Sequence, residues 1–190
     1  TILPIVPMFH VNAWGMTYAS AMVGARLVLP GPNLDGKSII DLIVQEEATL
    51  ALAIPTIWEE VLEKLASEGA SLTSLKRIVS GGSAVPSWVI RDFKEKHGVD
   101  VLQVWGMTEI SPLGTTNSPL AKHADYGPEE AFSRMESAGR LNWAVEIRIV
   151  DDDGNELPRD GSEGRIQVRG PTVIQRYMSV SYTHLRAHET

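Results

Sequence analysis

The sequence predicts an α/β fold, in which a mostly parallel sheet with flanking helices is followed by part of a small antiparallel β-barrel subdomain. Up to about Thr115, short apolar runs alternate with stretches of helical periodicity, and the connections between them are short. Beyond that residue, apolar and polar side chains alternate one by one, as in antiparallel strands. We therefore expect an α/β segment over residues 1–117, a connecting loop with a short helix over 118–138, and a barrel segment over 139–180.

The opening segment carries no Asp, Glu, Lys or Arg over its first 25 residues, so a membrane span has to be considered. Pro4 and Pro7 interrupt it, and the remaining stretch, Ala13–Ala25, is too short to cross a bilayer core of roughly 30 Å. We predict a buried helix over Ala13–Ala25 with Asn12 as its N-cap, because its many small side chains allow close packing. A signal peptide is not supported, since no basic residues precede the apolar run.

Strands and helices then alternate through the rest of the first segment, which predicts parallel strand pairing. Thr56 and Glu59 form a capping-box pair at the start of one predicted helix, and Gly98 is expected to stop the next. The predicted strands are 25–29, 50–54, 77–80 and 101–105, and the predicted helices are 35–47, 86–97 and one that starts near 56. The helix over 35–47 has one apolar face, formed by Ile39, Ile40 and Ile43.

The periodicity changes in the last third of the sequence. A polar stretch over 117–139 is predicted to be loop with a short helix over Pro128–Met135. Two runs of alternating residues, Val145–Ile149 and Gly164–Arg169, then predict antiparallel strands, with a turn at Asp152–Asn155 between them. The consecutive carboxylates at 151–153 also occur in calcium sites, but a solvated turn describes them better.

The charge and the cysteine count exclude several classes of function. The 190 residues have a formal net charge of −7, which opposes binding to nucleic acids or anionic membranes, so any anion has to be held locally. The chain has no cysteine, which excludes disulfides, Cys-ligated zinc and a thiol nucleophile. A cysteine-free chain fits a reducing compartment, and we expect a cytoplasmic protein.

Two glycine-containing loops follow predicted strands, and ligands of open α/β sheets bind beyond the carboxyl ends of the strands. The first loop is Ser80-Gly81-Gly82-Ser83-Ala84, which leads through Pro86 into a helix. Its two glycines would let main-chain groups contact a flat ligand or an anion. The alternative is a tight strand-to-helix turn, which the glycine pair alone favours.

The second loop combines an aromatic face, a hydroxyl and a carboxylate at the end of one strand. Its sequence is Gln103-Val104-Trp105-Gly106-Met107-Thr108-Glu109. A purine can stack on Trp105, a phosphate oxygen can accept a hydrogen bond from Thr108, and Glu109 can hold Mg²⁺. The alternative is a core tryptophan followed by an ordinary turn, but two such loops on successive strands favour a functional role.

Two further positions suit an apolar substrate. His10 follows Met8 and Phe9 at the end of an apolar run, as expected for the wall of a pocket, although it could instead cap the next helix. Trp58, near the start of another predicted helix, has a similar ambiguity, with core packing as the alternative.

Five motifs occur in an order that resembles one enzyme family. They are Pro-Met-Phe-His-Val-Asn-Ala-Trp from residue 7, Ile-Pro-Thr-Ile-Trp from 54, Gly-Gly-Ser-Ala from 81, Trp-Gly-Met-Thr-Glu from 105, and Gly-Arg-Ile-Gln-Val-Arg-Gly-Pro from 164. Over residues 1–178 the chain is similar to the middle of adenylate-forming (AMP-dependent) acyl-CoA synthetases. The resemblance is strongest to medium- and long-chain fatty-acyl-CoA ligases and to 3-methylthiopropionyl-CoA ligases.

The resemblance implies an ATP- and Mg²⁺-dependent ligase that activates a fatty or other apolar acid as acyl-AMP and transfers the acyl group to CoA. It implies that the four residues Gly81–Ala84 line the adenine and the acyl carboxylate. Trp105 would stack on the adenine, with Gln103 and Gly106 flanking the nucleotide.

The same resemblance implies three catalytic residues and an acyl pocket. Thr108 would contact phosphate, Glu109 would be the magnesium carboxylate, and His10 would lie near the reacting carboxyl group. Trp58 would lie near the acyl pocket and its entrance.

The resemblance also implies parts that this sequence lacks. A phosphate-binding loop is expected before residue 1, and a ribose-binding aspartate, a hinge and a lysine-bearing domain are expected after Tyr177. We therefore expect an internal piece of a ligase that is inactive by itself. Residues 181–190 match nothing in the family pattern, so we expect a non-native tail, with a divergent natural end as the alternative. A metal site at His184 and His188 is discounted because no carboxylate ligand lies at matching spacing.

Two rival functions remain open from the sequence. One is an aryl or amino-acid adenylating domain, and the other is a non-catalytic nucleotide-binding α/β module. An acidic pocket residue would favour an amino acid, whereas His10 beside Met8 and Phe9 favours an apolar acid. The acyl chain length is not encoded in recognisable positions, and a homodimer of the full-length protein is left open.

Overall fold

The computed structural model describes residues 1–178, and the chain divides into two compact units. The first unit comprises Thr1–Trp105 and Thr116–Arg140, and the second comprises Gly106–Thr115 and the described residues from Leu141 onward. The segment that we predicted to be a connection, 118–138, thus belongs to the first unit. It is tied there because the buried Gln103 side chain donates from Nε2 to the main-chain oxygen of Met135 (2.9 Å).

The sheet of the first unit contains four parallel strands that neighbour one another in chain order. They are β1 (Ile2–Pro4), β2 (Leu50–Ala53), β3 (Arg77–Gly81) and β4 (Asp100–Gly106). The parallel pairing confirms the prediction from strand and helix alternation. The strand predicted over 25–29 is reduced to one parallel bridge, between Leu27 and Ile2.

The helices predicted over 35–47 and 86–97 are both present, and the first ends two residues earlier than predicted. Helix α3 (Gly36–Gln45) follows Asp35, whose Oδ1 accepts a hydrogen bond from the Ser38 main-chain N–H (3.0 Å). Helix α5 (Ser87–His97) ends at Gly98, where φ is 67°, a left-handed conformation that glycine adopts without a steric penalty.

Helix α4 (Pro55–Glu68) starts differently, and the predicted capping box of Thr56 and Glu59 is wrong. The N-cap is Ile54, which makes no side-chain hydrogen bond, and Pro55 occupies the first helical position. The fixed φ of proline suits that position, and its missing N–H costs nothing there. The proline, rather than the threonine and glutamate pair, sets the start of this helix.

The main core of the first unit packs β-strand residues against α3, α4 and α5. Trp58 and Phe93 are fully buried and meet edge to face, with ring centroids 5.8 Å apart and an interplanar angle of 89°. The predicted apolar face of α3 is confirmed, since its three isoleucines Ile39, Ile40 and Ile43 are buried. An edge-to-face pair such as Trp58 and Phe93 stabilises a core by about 0.5–1.5 kcal/mol beyond the contribution of its buried surface.

The helix predicted over Ala13–Ala25 does not begin at the predicted residue. Asn12, Ala13 and Trp14 have φ values of 52°, 51° and 55°, so the segment labelled α1 (Val11–Trp14) is a left-handed turn. Asn12 is therefore not an N-cap; that position belongs to Gly15, which precedes α2. Side chains disfavour left-handed backbone by roughly 1–2 kcal/mol per residue, and apolar periodicity does not reveal such a turn.

The prediction of burial is also wrong for this region. In α2 (Met16–Met22) only Ser20 is buried, whereas Tyr18 is 64% exposed and Met22 is 85% exposed. Met16 packs against a small second cluster formed by Ile2, Val6 and Leu52. The first turn of this helix therefore packs near β1, whereas Tyr18, Ala21 and Met22 are exposed.

The remaining helix and the second unit follow the predicted change of periodicity. Helix α6 (Pro128–Glu136) matches the short helix predicted within the polar stretch. In the second unit, β7 (Glu146–Val150) and β8 (Arg165–Arg169) form an antiparallel ladder. The other short elements are β5 (Leu113–Thr116), β6 (Arg140–Leu141) and the 3₁₀ segments Thr108–Ile110 and Ala121–Asp125. The closed barrel stays a prediction.

The turn after β7 is closed by one carboxylate. Asp151 Oδ1 accepts from the Asn155 main-chain N–H (2.8 Å), and Oδ2 accepts from Asn155 Nδ2 (3.1 Å). These hydrogen bonds lower the pKa of Asp151 below its ordinary value. The cluster at 151–153 is thus a hydrogen-bonded turn.

None of the helices within residues 1–178 combines the length and the apolar character that a membrane crossing requires. The predicted tail, 181–190, with His184 and His188, lies outside the described residues.

Candidate functional site

The first predicted loop follows β3, next to the carboxyl end of β4. Gly81 is paired in register with Val104, and a Cβ added at Gly81 would lie 2.6 Å from Val104 Cγ2 and 2.7 Å from its carbonyl oxygen. Gly82 has a φ of +92°, which side chains rarely adopt. The fold itself therefore requires both glycines, as the tight-turn alternative supposed.

The residues that remain available for a ligand in this loop are Gly82, Ser83 and Ala84, which are all exposed. The next main-chain N–H, that of Val85, donates to Gln103 Oε1 (3.2 Å) and is therefore occupied. A ligand at this loop would meet exposed main chain and the Ser83 hydroxyl.

Gln103 is buried and acts as a connector between three segments of the first unit. Its Oε1 accepts from Val85, its Nε2 donates to the Met135 oxygen (2.9 Å), and its main-chain oxygen accepts from Asn117 N (2.9 Å). The prediction that Gln103 flanks a nucleotide stays a prediction. The contacts of its amide show that it fixes the glycine loop.

Trp105 ends the part of β4 that belongs to the first unit, and it is half-buried. The three residues before Val104 on this strand are buried, so exposure begins where the strand leaves the core. In a half-buried indole, one face packs against the protein and the other face can stack on a flat ligand. This placement suits the predicted stacking role, which no contact in the structure tests.

In the second unit, Thr108 and Glu109 lie on a three-residue 3₁₀ helix, Thr108–Ile110. A Cβ added at Gly106 would lie only 2.1 Å from the Pro112 carbonyl oxygen, and Met107 N donates to that same oxygen (2.8 Å). Gly106 is therefore required by this close approach. Thr108 is exposed and Glu109 is half-buried, so both side-chain ends can reach a ligand.

The Glu109 carboxylate has a partner that the sequence analysis did not assign. The Tyr177 hydroxyl donates to Glu109 Oε1 (2.7 Å), and the Glu109 main-chain oxygen accepts from Ile174 N (2.9 Å). The hydrogen bond to the carboxylate raises the pKa of Tyr177, which keeps the hydroxyl a donor. Because 68 positions separate these residues, no local pattern marks the pair.

The oxygen ligands at this loop suit a hard divalent cation in the presence of phosphates. Glu109 supplies a carboxylate and Thr108 a hydroxyl, and Mg²⁺ is commonly held by one or two carboxylates together with phosphate oxygens and water. Among residues 1–178 there is no cluster of three His, Asp or Glu side chains able to hold a metal by themselves. The residues therefore fit a magnesium ion that arrives with a nucleotide.

The predicted acyl-pocket residues lie in two different environments. Met8, Phe9 and His10 are exposed, with Phe9 at 90%, and they lie in a turn and not at a strand end, since β1 stops at Pro4. The His10 main-chain N–H donates to the Pro7 oxygen (3.0 Å) within this turn.

Trp58, the fourth predicted pocket residue, is fully buried against Phe93, which agrees with the alternative that it packs in the core. Its indole N–H and the Ser80 hydroxyl are buried without a hydrogen-bond partner in the part of the chain that the structure describes. Its assignment to a substrate pocket stays a prediction.

The family profile and similar curated proteins indicate the same class of enzyme. The family profile described as AMP-binding enzyme matches residues 1–178. The medium-chain-fatty-acid–CoA ligase of Ectopseudomonas oleovorans is 52% identical over 178 residues, which cover 93% of this chain and 33% of that protein. The 3-methylmercaptopropionyl-CoA ligase of Ruegeria lacuscaerulensis is 50% identical over 180 residues, with 94% and 33% covered. The chain spans about a third of the length of these curated relatives.

Solved structures agree with these sequence similarities. The o-succinylbenzoate coenzyme A synthetase of Bacillus subtilis, in complex with ATP and magnesium ion, matches with a TM-score of 0.73 at 26% identity, covering 94% of this chain and 34% of that one. A long-chain-fatty-acid–CoA ligase of Archaeoglobus fulgidus has a TM-score of 0.75 at 25% identity, covering 90% and 34%.

The fold and its loops therefore define an α/β domain of the adenylate-forming class. The chain belongs to the AMP-binding enzyme family, which confirms the resemblance carried by its motifs.

Proposed function

We propose that the protein carrying this chain is an ATP-dependent acyl-CoA ligase for a fatty or other apolar carboxylic acid, and that this chain is one segment of it. The observation that carries the proposal is the placement of the two loops. They lie at the carboxyl ends of the adjacent parallel strands β3 and β4, with exposed main chain at one end and a half-buried tryptophan at the other. The 52% identity to a medium-chain-fatty-acid–CoA ligase supports the reaction.

In this proposal the substrate carboxylate attacks the α-phosphorus of ATP and pyrophosphate leaves; the CoA thiol then displaces AMP to give the thioester. Trp105 stacks on the adenine, while Gly82, Ser83 and Ala84 present main chain to the nucleotide and the carboxylate. Thr108 donates a hydrogen bond to a phosphate oxygen. Mg²⁺ bound at Glu109 would offset the negative charge of the phosphates. Positioning and charge neutralisation are the main demands of such phosphorus chemistry, so no covalent nucleophile is required.

An apolar acid is the substrate class that we favour. The segment around His10 contains Met8, Phe9 and Trp14 and no carboxylate that could pair with an amino group. An aryl or amino-acid adenylating role is the rival assignment. We further propose a cytoplasmic enzyme without nucleic-acid partners, in keeping with the net charge of −7. A homodimer of the full-length protein belongs to the same proposal.

The test is ATP–pyrophosphate exchange by the full-length protein, driven by a medium-chain acid. Trp105→Ala is expected to raise the KM for ATP by roughly five- to 150-fold, because base stacking on an aromatic side chain contributes about 1–3 kcal/mol. Trp143→Ala, at a tryptophan that is 92% exposed, is the matched control and should leave KM unchanged. Unchanged exchange in the Trp105 variant would remove the stacking role, and no acid-dependent exchange in the wild type would refute the ligase.

A further inference from the structure

A cavity of about 300 Å³ lies within the first unit, at the end of the sheet opposite to the candidate site. Its lining includes Arg77 and Asp100, which are the first residues of β3 and β4 and are paired in register. The glycine loop and Trp105 lie at the other ends of the same two strands. The cavity is therefore separate from the residues to which we assign nucleotide binding.

The walls of this cavity are mostly apolar. Val101 and Leu102 contribute from β4, Leu120 from the segment before α6, and Ala131 and Met135 from α6 itself. Its volume is at the lower end of the range of about 300–1,000 Å³ that is typical of small-molecule sites. A short apolar chain matches both the size and the lining.

The charged side chains of the lining have an uneven balance. There are three cations, Arg77, Lys94 and Arg134, and one carboxylate, Asp100, which is already paired with Lys94 Nζ (2.7 Å). Within residues 1–178, no carboxylate forms an ion pair with Arg77 or Arg134. Arg134 Nη1 donates to Asn117 Oδ1 (2.6 Å), and a neutral amide leaves the guanidinium charge uncompensated.

This excess of positive charge stands out in a chain whose net charge is −7. His123, also in the lining, has its pKa lowered by burial and, to a lesser extent, by the charges of Arg134, Lys122 and Arg140. Its Nδ1 accepts from the Leu120 main-chain N–H (3.0 Å), which fits the neutral ring. Two uncompensated guanidinium groups beside apolar walls are complementary to a ligand with one anionic end.

We propose that this cavity binds a small amphipathic carboxylate, with its apolar chain against the β4 and α6 side chains and its carboxylate at Arg77 and Arg134. The site is independent of the proposed nucleotide site, and its occupation needs no covalent step.

The test measures octanoate binding to the full-length protein by calorimetric titration. The wild type is expected to bind octanoate at one more site than Ala131→Trp, because a large side chain on α6 fills the cavity. Arg77→Glu should weaken that additional site by about tenfold or more, since it replaces an attractive charge with a repulsive one. Arg159→Glu makes the same charge change at an exposed position outside the cavity and should leave the site unchanged.

Any octanoate bound by the candidate active site is common to all four proteins, so failure of the ligase proposal would not affect the comparison. Equal stoichiometry in the wild type and Ala131→Trp would overturn the cavity proposal. So would binding of octan-1-ol to the additional site as tightly as octanoate, because the cations would then have no role. Arg77 is exposed, so its variant keeps the proposal testable if Ala131→Trp fails to fold.

Discussion

The two units fix their candidate site residues by different physical means. In the first, Gly81 packs directly against Val104, and the buried Gln103 amide ties the glycine loop to α6. In the second, Thr108 and Glu109 lie on a single 3₁₀ turn, and Glu109 is fixed by one hydroxyl and one main-chain N–H. The residues proposed to contact adenine thus depend on core packing, whereas the proposed magnesium carboxylate depends on a few polar contacts near solvent.

Because of this difference, we expect a substitution in the core of the first unit to cause the largest loss of stability. Phe93→Ala should lower the free energy of unfolding by about 3–5 kcal/mol, because it leaves a cavity beside the fully buried Trp58. Chemical denaturation of the full-length protein measures this value. Ile149→Ala on the half-buried β7 should cost clearly less, and an equal cost would contradict the contrast between the units.

Gly81→Ala sharpens the comparison at the glycine loop itself. The added methyl group would overlap Val104, so we expect a loss of about 1–3 kcal/mol in stability together with a rise in the KM for ATP. Gly127→Ala is the control, since no atom lies within 4 Å of its Cβ position and its φ of −65° suits alanine. If Gly81→Ala were as mild as the control, direct packing would not fix this loop.

A smaller effect is expected at the polar contact of the second unit. Tyr177→Phe removes the hydrogen bond to Glu109 and should raise the Mg²⁺ concentration for half-maximal pyrophosphate exchange by roughly two- to tenfold. It should also reduce the thermal stabilisation by Mg·ATP, a readout that does not depend on turnover. Tyr126→Phe is the matched control, and equal behaviour of both variants would show that Tyr177 does not position Glu109.

The smallest effect concerns the turn after β7. The folded-state pKa of Asp151 is lowered, so the stabilising contribution of its carboxylate is fully present above the ordinary value of 3.8 and is lost as the pH falls through the lower folded value. Asp151→Asn should therefore be less stable than the wild type at pH 7, and the difference should shrink in acid. Thermal unfolding between pH 7 and pH 3 checks this, and a difference that grows in acid would contradict it.

Local patterns predicted β2, β3 and β4 and the helices α3, α4 and α5, because burial imposes regular spacing. The isoleucines of α3 and the glycine after α5 fixed their elements correctly. The errors arose where two local signals competed or where the backbone was unusual. Pro55 overrode the Thr56 and Glu59 pair, and the left-handed turn at Asn12 has no periodic signature.

Only those features of the candidate site that depend on residues close in sequence could be predicted. The two loops could be placed because each follows an apolar run, and β3 and β4 are paired in parallel, with Gly81 opposite Val104. Contacts between distant positions could not be anticipated. The Tyr177 hydroxyl on Glu109 and the Gln103 amide on Met135 depend on how the chain folds back, which single-residue patterns do not encode.

The parallel sheet also has a kinetic consequence. Ile2 pairs with Leu50, so β1 and its strand partner β2 are separated by almost fifty positions in the sequence. Closing such a long loop costs entropy before any contact repays it, which makes assembly of parallel strands slow. Until β2 has paired, the edge of β1 that it will cover stays open, and an unpaired strand edge can aggregate or be captured by a chaperone.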